Sequence, residues 1–140
     1  MLDLNSDLYK NLEFHHLGVL VADLQQAIIN YSLLFGKESI SKIYDIESQQ
    51  IRVCFVNTGK NSFLELIQPN IGNTSFDKFF KKNINFYHIA FLTKTFDSTT
   101  QDLLNNDFKC INTFQSEAFE NKRCAFFMSN EMHIIEIIES

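Results

Sequence analysis

The chain repeats one pattern at an interval of about half its length, and each copy carries a histidine near its start and a glutamate near its end. Phe14–Val21 reads FHHLGVLV, and 72 positions on Phe86–Thr93 reads FYHIAFLT. Cys54–Gln68 reads CFVNTGKNSFLELIQ, and 71 positions on Ala125–Glu139 reads AFFMSNEMHIIEIIE. His16 and Glu65 are 49 positions apart, His88 and Glu136 48. A duplication of this kind sets the architecture before any single motif is read.

Within each copy the hydrophobic pattern alternates between strand and helix. In the first, a strand is expected at 14–21, then a helix capped by Asp23. Leu24, Ala27, Ile28, Tyr31, Leu34 and Phe35 lie on its apolar face, and Gly36 stops it. Strands at 39–46, 51–57 and 62–68 follow, the last two joined by a TGKN turn, and Thr74 caps a short helix near 74–83. In the second, a strand at 86–93 precedes a helix from about Asp97 to Asn105, the turn Asn106-Asp107, and strands at 108–115, 122–128 and 133–139. The expected fold is therefore α+β. Two tandem βαβββ modules, 13–69 and 85–139, form a cupped eight-stranded mixed sheet with helices on the outside. Residues 1–140 make one domain.

Composition limits what the fold can serve. The 140 residues suffice for one core, and with 45% apolar and 21% charged residues the chain reads as a soluble globular protein. The net charge of −5 argues against a nucleic-acid partner. No apolar run has the length of a membrane span, and the N-terminal MLDLNSD lacks the basic and apolar regions of an export signal. Cys54, Cys110 and Cys124 show no metal or redox spacing, and Cys54 and Cys124 lie in apolar runs as small core residues. A reduced, cytoplasmic setting is expected, and any metal must be held by nitrogen and oxygen.

Side chains alternate along a strand, so His16 shares a face with Gly18 and Leu20, and His88 with Ala90 and Leu92. A small residue two positions from each imidazole leaves room for a ligand. Glu65 in FLELI and Glu136 in IIEII are carboxylates in apolar strands. Such a group must face solvent, be paired or bind a metal, because burying it alone is costly. His16, Glu65, His88 and Glu136, recurring in register, are the candidate metal ligands. Two imidazoles and two carboxylates suit one divalent ion such as Zn, Co, Ni, Mn or Fe and leave positions open for a small-molecule substrate.

The segments HLGVLVADLQQAIINY, FVNTGKNSFLELIQP, HIAFL and FMSNEMHIIEII resemble the vicinal oxygen chelate superfamily, which includes glyoxalase I, methylmalonyl-CoA epimerase, extradiol dioxygenases and bleomycin-resistance proteins. His16, Glu65, His88 and Glu136 match that superfamily's metal ligands one by one, and the implied fold is glyoxalase-like. From Glu65 to His88 the likeness is greatest to methylmalonyl-CoA epimerase. ELIQP is followed by TSFDKFFKK and Tyr87-His88-Ile89, where that family has ELxxP, a helix ending KFLxK, and His-His-Ile. Tyr87 replaces the first histidine, and the family's acidic residue before the third strand falls on Ser48 or, one residue earlier, on Glu47.

The resemblance implies an enzyme that abstracts a proton next to a carbonyl, with Glu136 and Glu47 as candidate acid/base groups and an acyl-CoA as a possible substrate. Lys78, Lys81, Lys82, Lys122 and Arg123 are candidate phosphate contacts, and a homodimer is the expected assembly. The competing expectations are a glyoxalase I-like lactoylglutathione lyase and a non-catalytic small-molecule or antibiotic-binding module, whose pocket Phe55, Phe63, Phe126 and Phe127 could line.

Overall fold

The computed structural model of the chain describes residues 6–140; the first five residues, which open the MLDLNSD segment where no export signal is expected, lie outside it. The elements in order are β1 (Glu13–Leu20), α1 (Leu24–Phe35), β2 (Tyr44–Ile46), β3 (Ile51–Gly59), β4 (Ser62–Pro69), α2 (Asp77–Lys81), β5 (Phe86–Thr93), α3 (Phe96–Asn105), β6 (Lys109–Ser116), β7 (Lys122–Met128) and β8 (Ile134–Glu139). Short 3-10 turns precede β3 at Glu47–Gln49 and β7 at Glu117–Phe119. The strands form a mixed eight-stranded sheet in the order β2-β3-β4-β1-β5-β8-β7-β6, which is the α+β class expected. The chain divides into two compact units: His16–Tyr87, and His88–Ser140 with the described residues up to His15. None of the described helices is long and apolar enough to cross a membrane.

In the first unit α1 begins where the sequence predicts. Asp23 is extended, and its side chain accepts from the Gln26 backbone N–H at 3.1 Å, a cap that contributes about 1 kcal/mol. Gly36, at φ 87°, ends the helix in a conformation that costs a side chain with a Cβ. Leu24 and Ala27 are buried over Cys54, Val56 and Leu66, with Ile28, Tyr31 and Leu64 packed around them. The last turn does not follow the predicted apolar face into the core. Leu34 is 72% exposed and Phe35 is also exposed, because this turn runs past the groups that cover Leu24 and Ala27.

The β3–β4 hairpin turns on Lys60 and Asn61, both at positive φ, between the paired Gly59 and Ser62, the type I′ geometry whose twist suits a tight hairpin. The strand expected at 39–46 is cut to Tyr44–Ile46. Ser41 Oγ accepts from the Phe55 backbone N–H at 2.8 Å, so a side chain replaces a ladder bond and only an isolated Ile40–Val56 bridge remains upstream. α2 starts at Asp77 rather than under a Thr74 cap. The Thr74 carbonyl accepts from the Asp77 N–H as a turn, while buried Phe76 packs edge-on against Tyr87.

In the second unit α3 covers β7 and β8. Phe96 and Leu103 are buried with Ala125, Phe127 and Ile137, and Leu12, Phe91 and Ile135 fill in around them. Arg123 pins the start of the helix. It donates to Asp97 at 2.8 Å and to Glu139 at 2.7 Å, and its guanidinium lies 4.6 Å from the centre of the Phe96 ring.

Candidate metal centre

Strand register places the candidate ligands. In the first unit β1 and β4 run parallel, with His16 opposite Phe63 and Gly18 opposite Glu65. β3 runs antiparallel to β4 and sets Phe55 opposite Glu65. Cys54, Val56, Leu64 and Leu66 are committed to α1, so alternation sends Phe55 and Glu65 to the other face. His16 Nε2 lies 3.4 Å from Glu65 Oε1, and the imidazole meets the Phe55 ring edge-on at 5.5 Å.

The second unit reproduces each of these relations. β5 and β8 are parallel, with His88 opposite Ile134 and Ala90 opposite Glu136. β7 sets Phe126 opposite Glu136. Ile135, Ile137 and Phe127 pack under α3, which leaves Ile134, Glu136, Ile138 and Phe126 on the opposite face. His88 Nε2 lies 3.2 Å from Glu136 Oε1, and the imidazole is 5.3 Å from the Phe126 ring. The repeat seen in sequence is thus a repeat of local geometry: a parallel strand pair offers histidine and glutamate, and the antiparallel neighbour adds a phenylalanine.

Burial makes these pairs chemically distinctive. His16 is 0%, Glu65 5%, His88 1% and Glu136 4% exposed. Isolated, a buried carboxylate costs several kcal/mol even after the protein relaxes around it, so a positive partner belongs in the design. The charge of Glu65 is felt in the core behind it: burial, reinforced by that carboxylate, pushes the Cys54 thiol up to about 11. Among the described residues, His16, Glu65, His88 and Glu136 form a group of buried side chains that could hold a metal ion. The donor set fits a divalent cation: two imidazole nitrogens, and two carboxylates whose charge balances the ion.

The other sequence candidates fall in varied places. Glu47 opens the 3-10 turn between β2 and β3 and is exposed. Lys78 and Lys81 lie exposed on α2, Lys82 just after it, and Lys122 exposed at the start of β7. Arg123 is not a free phosphate contact, because Asp97 and Glu139 occupy its guanidinium. Phe127 is not a pocket wall either, since its position in β7 turns it into the α3 core. The specific place of Phe55 and Phe126 against the two histidines was not singled out from sequence. Their recurrence at the same 71-position interval was the available signal.

Residues 15–127 match the family model described as the Glyoxalase/Bleomycin resistance protein/Dioxygenase superfamily. No curated protein matches, whereas 148 chains of solved structures do. Methylmalonyl-CoA epimerase from Mycobacterium tuberculosis is 22% identical, with 98% of this chain and 92% of that chain covered and a TM-score of 0.78. The Streptomyces coelicolor methylmalonyl-CoA epimerase in complex with 2-nitronate-propionyl-CoA is 20% identical over 93% of this chain and 98% of that one, at a TM-score of 0.73. A hypothetical protein from Bacillus halodurans C-125 is 22% identical over 92% and 94%, at a TM-score of 0.72.

Proposed function

The chain belongs to the glyoxalase/bleomycin resistance protein/dioxygenase superfamily, and from that premise we propose that it is a metal-dependent enzyme of methylmalonyl-CoA epimerase type, removing a proton from the carbon beside a carbonyl. The observation that carries this reading is the pair of buried histidine–glutamate contacts, built on the same strand register in each unit. His16, Glu65, His88 and Glu136 together would hold one divalent ion, in one domain spanning residues 1–140. When bound, such an ion supplies Lewis acidity toward two substrate oxygens.

The chain's own groups do the proton chemistry. Glu136 takes the proton from the α-carbon onto its carboxylate, and the electron pair of the broken C–H bond stays with the carbon–carbonyl unit. Inversion needs a proton donor on the other face of that carbon, a role assigned to Glu47. Phe55 and Phe126 hold the imidazoles edge-on and keep water from their flanks. An acyl-CoA is the favoured substrate, with Lys78, Lys81, Lys82 and Lys122 left to meet its phosphates, in a cytoplasmic homodimer.

A glyoxalase I-like lyase is the second reading, favoured by the presence of two carboxylates and two histidines rather than a ligand set short of one carboxylate. A non-catalytic binding module of the same fold has no use for two buried carboxylates. The test is incubation with methylmalonyl-CoA in deuterated water, followed by mass spectrometry of the α-carbon, in parallel with a glutathione hemithioacetal. Exchange into methylmalonyl-CoA that disappears in Glu136→Gln is expected. Turnover of the hemithioacetal alone would move the assignment to the lyase, and inertness toward both by metal-loaded protein would refute the type of reaction proposed.

A further inference from the structure

The second unit carries an open groove of about 280 Å³, bordered by Leu92, Ala118, Phe119, Ile138, His15 and Lys122. Its floor lies on the same sheet face as Glu136. Ile138 follows Glu136 by one full pleat on β8, Leu92 follows Ala90 on β5, and the parallel register sets Leu92 opposite Ile138. The groove floor is therefore about 7 Å along the strands from the level of the carboxylate. Ala90, Cys124 and Ile138 form the buried apolar cluster here, with Leu92, Phe114 and Phe119 packed against it. From Glu136 outward along this face the chain thus lays an apolar floor of Leu92 and Ile138, and the ionisable side chains that line the groove are His15, Glu120, Lys122 and Glu139. Of these, Glu139 is already held by Arg123.

We propose that this groove is a subsite for a short aliphatic group of the substrate, with Leu92, Ile138 and Phe119 setting its length. The inference rests on the proton-abstraction reading of His88 and Glu136, and it adds the chemical class of the substituent beyond the reacting carbon. A methylene passing from water onto this floor gains about fourfold in affinity. At about 280 Å³ the groove falls just short of the range of ligand pockets, which begins at about 300 Å³, so the gain must stop after a short chain. Phe119 is half-buried on the Glu117–Phe119 turn and packs edge-on at 5.5 Å against His15, a position from which it closes the outer end.

The test uses the full chain with labelled leucine and isoleucine methyl groups, titrated by NMR with 2-butanone, 2-hexanone and 2-octanone, without metal and again with zinc added. Shifts at the Leu92 and Ile138 methyls are expected, with affinity rising about fourfold per methylene from butanone to hexanone and levelling at octanone. Phe119→Ala should remove the plateau so that octanone gains over hexanone. Methyls that do not move, or that move equally for all three ketones, overturn the subsite. Protein that exchanges α-protons without such shifts loses the subsite alone. Protein with length-dependent shifts but no exchange keeps the subsite and loses the catalytic reading.

Discussion

Replacing Glu65 by glutamine separates a metal ligand from an ordinary buried polar residue, because the two predict opposite signs. The residue is 5% exposed and its carboxylate meets His16 at 3.4 Å; in metal-free protein the isosteric amide keeps an oxygen for that contact while removing a buried charge, and should recover about 1–2 kcal/mol. For a chain of 140 residues, 1 kcal/mol moves Tm by roughly 3–4 °C. Metal-free Glu65→Gln should therefore melt about 3–7 °C above metal-free wild type. With metal at about one hundred times its Kd, wild type gains about 2.7 kcal/mol, or roughly 9 °C. If losing the carboxylate weakens the ion about a hundredfold, the same metal stabilises the variant by only about 0.4 kcal/mol, roughly 1–2 °C. Calorimetry of both proteins, chelated and metal-loaded, should show the order of stability crossing or nearly closing. A variant that is less stable in both conditions and keeps the full metal response would refute the reasoning, and Glu65 would then be structural.

Other consequences follow from the same geometry. Glu136→Gln should lower α-proton exchange by about a hundredfold or more while circular dichroism stays unchanged. Exchange at the wild-type rate would remove Glu136 as base. Hydrogen bonds from Arg123 hold the Glu139 carboxyl below its ordinary 4.5, so their stabilising effect is complete above that pH and is lost as pH falls through the depressed value. Arg123→Ala should accordingly melt earlier than wild type at neutral pH, with the gap closing in acid; a gap independent of pH would assign the effect to packing on Phe96. Cys54 and Cys124 are buried and Cys110 is exposed, and burial raises the Cys54 thiol to about 11. A thiol reagent at mildly alkaline pH should then label Cys110 in native protein and all three cysteines after unfolding, whereas rapid native labelling of Cys54 would contradict the packing under α1.

Much of this was readable from the chain because the duplicated signals were short-range. A histidine two positions from Gly18 or Ala90, a glutamate between apolar neighbours, an Asp23 cap and a Gly36 stop all act within a few residues, and the elements they imply form where expected. What was not readable depends on contacts distant in sequence. The truncation of β2 depends on the Ser41 hydroxyl reaching the Phe55 N–H across the strand pair. Exposure of Leu34 and Phe35 depends on where the covering of α1 ends, which the 3.6-residue period does not encode. Parity on β7 sends Phe126 to the histidine and Phe127 to the helix, a distinction that requires the register of β8. Arg123 looks like a surface cation until Asp97 and Glu139, far away in sequence, are brought to it.

The central claim is that the two histidine–glutamate pairs serve one ion. It is tested most directly by metal analysis of protein purified without chelator and then reconstituted with zinc, cobalt, nickel or manganese. A single divalent ion per chain is predicted, with marked loss in His16→Ala and equal loss in His88→Ala, since each pair supplies half of the ligands. Protein that takes up no metal, or that binds it undiminished after either substitution, would contradict the account.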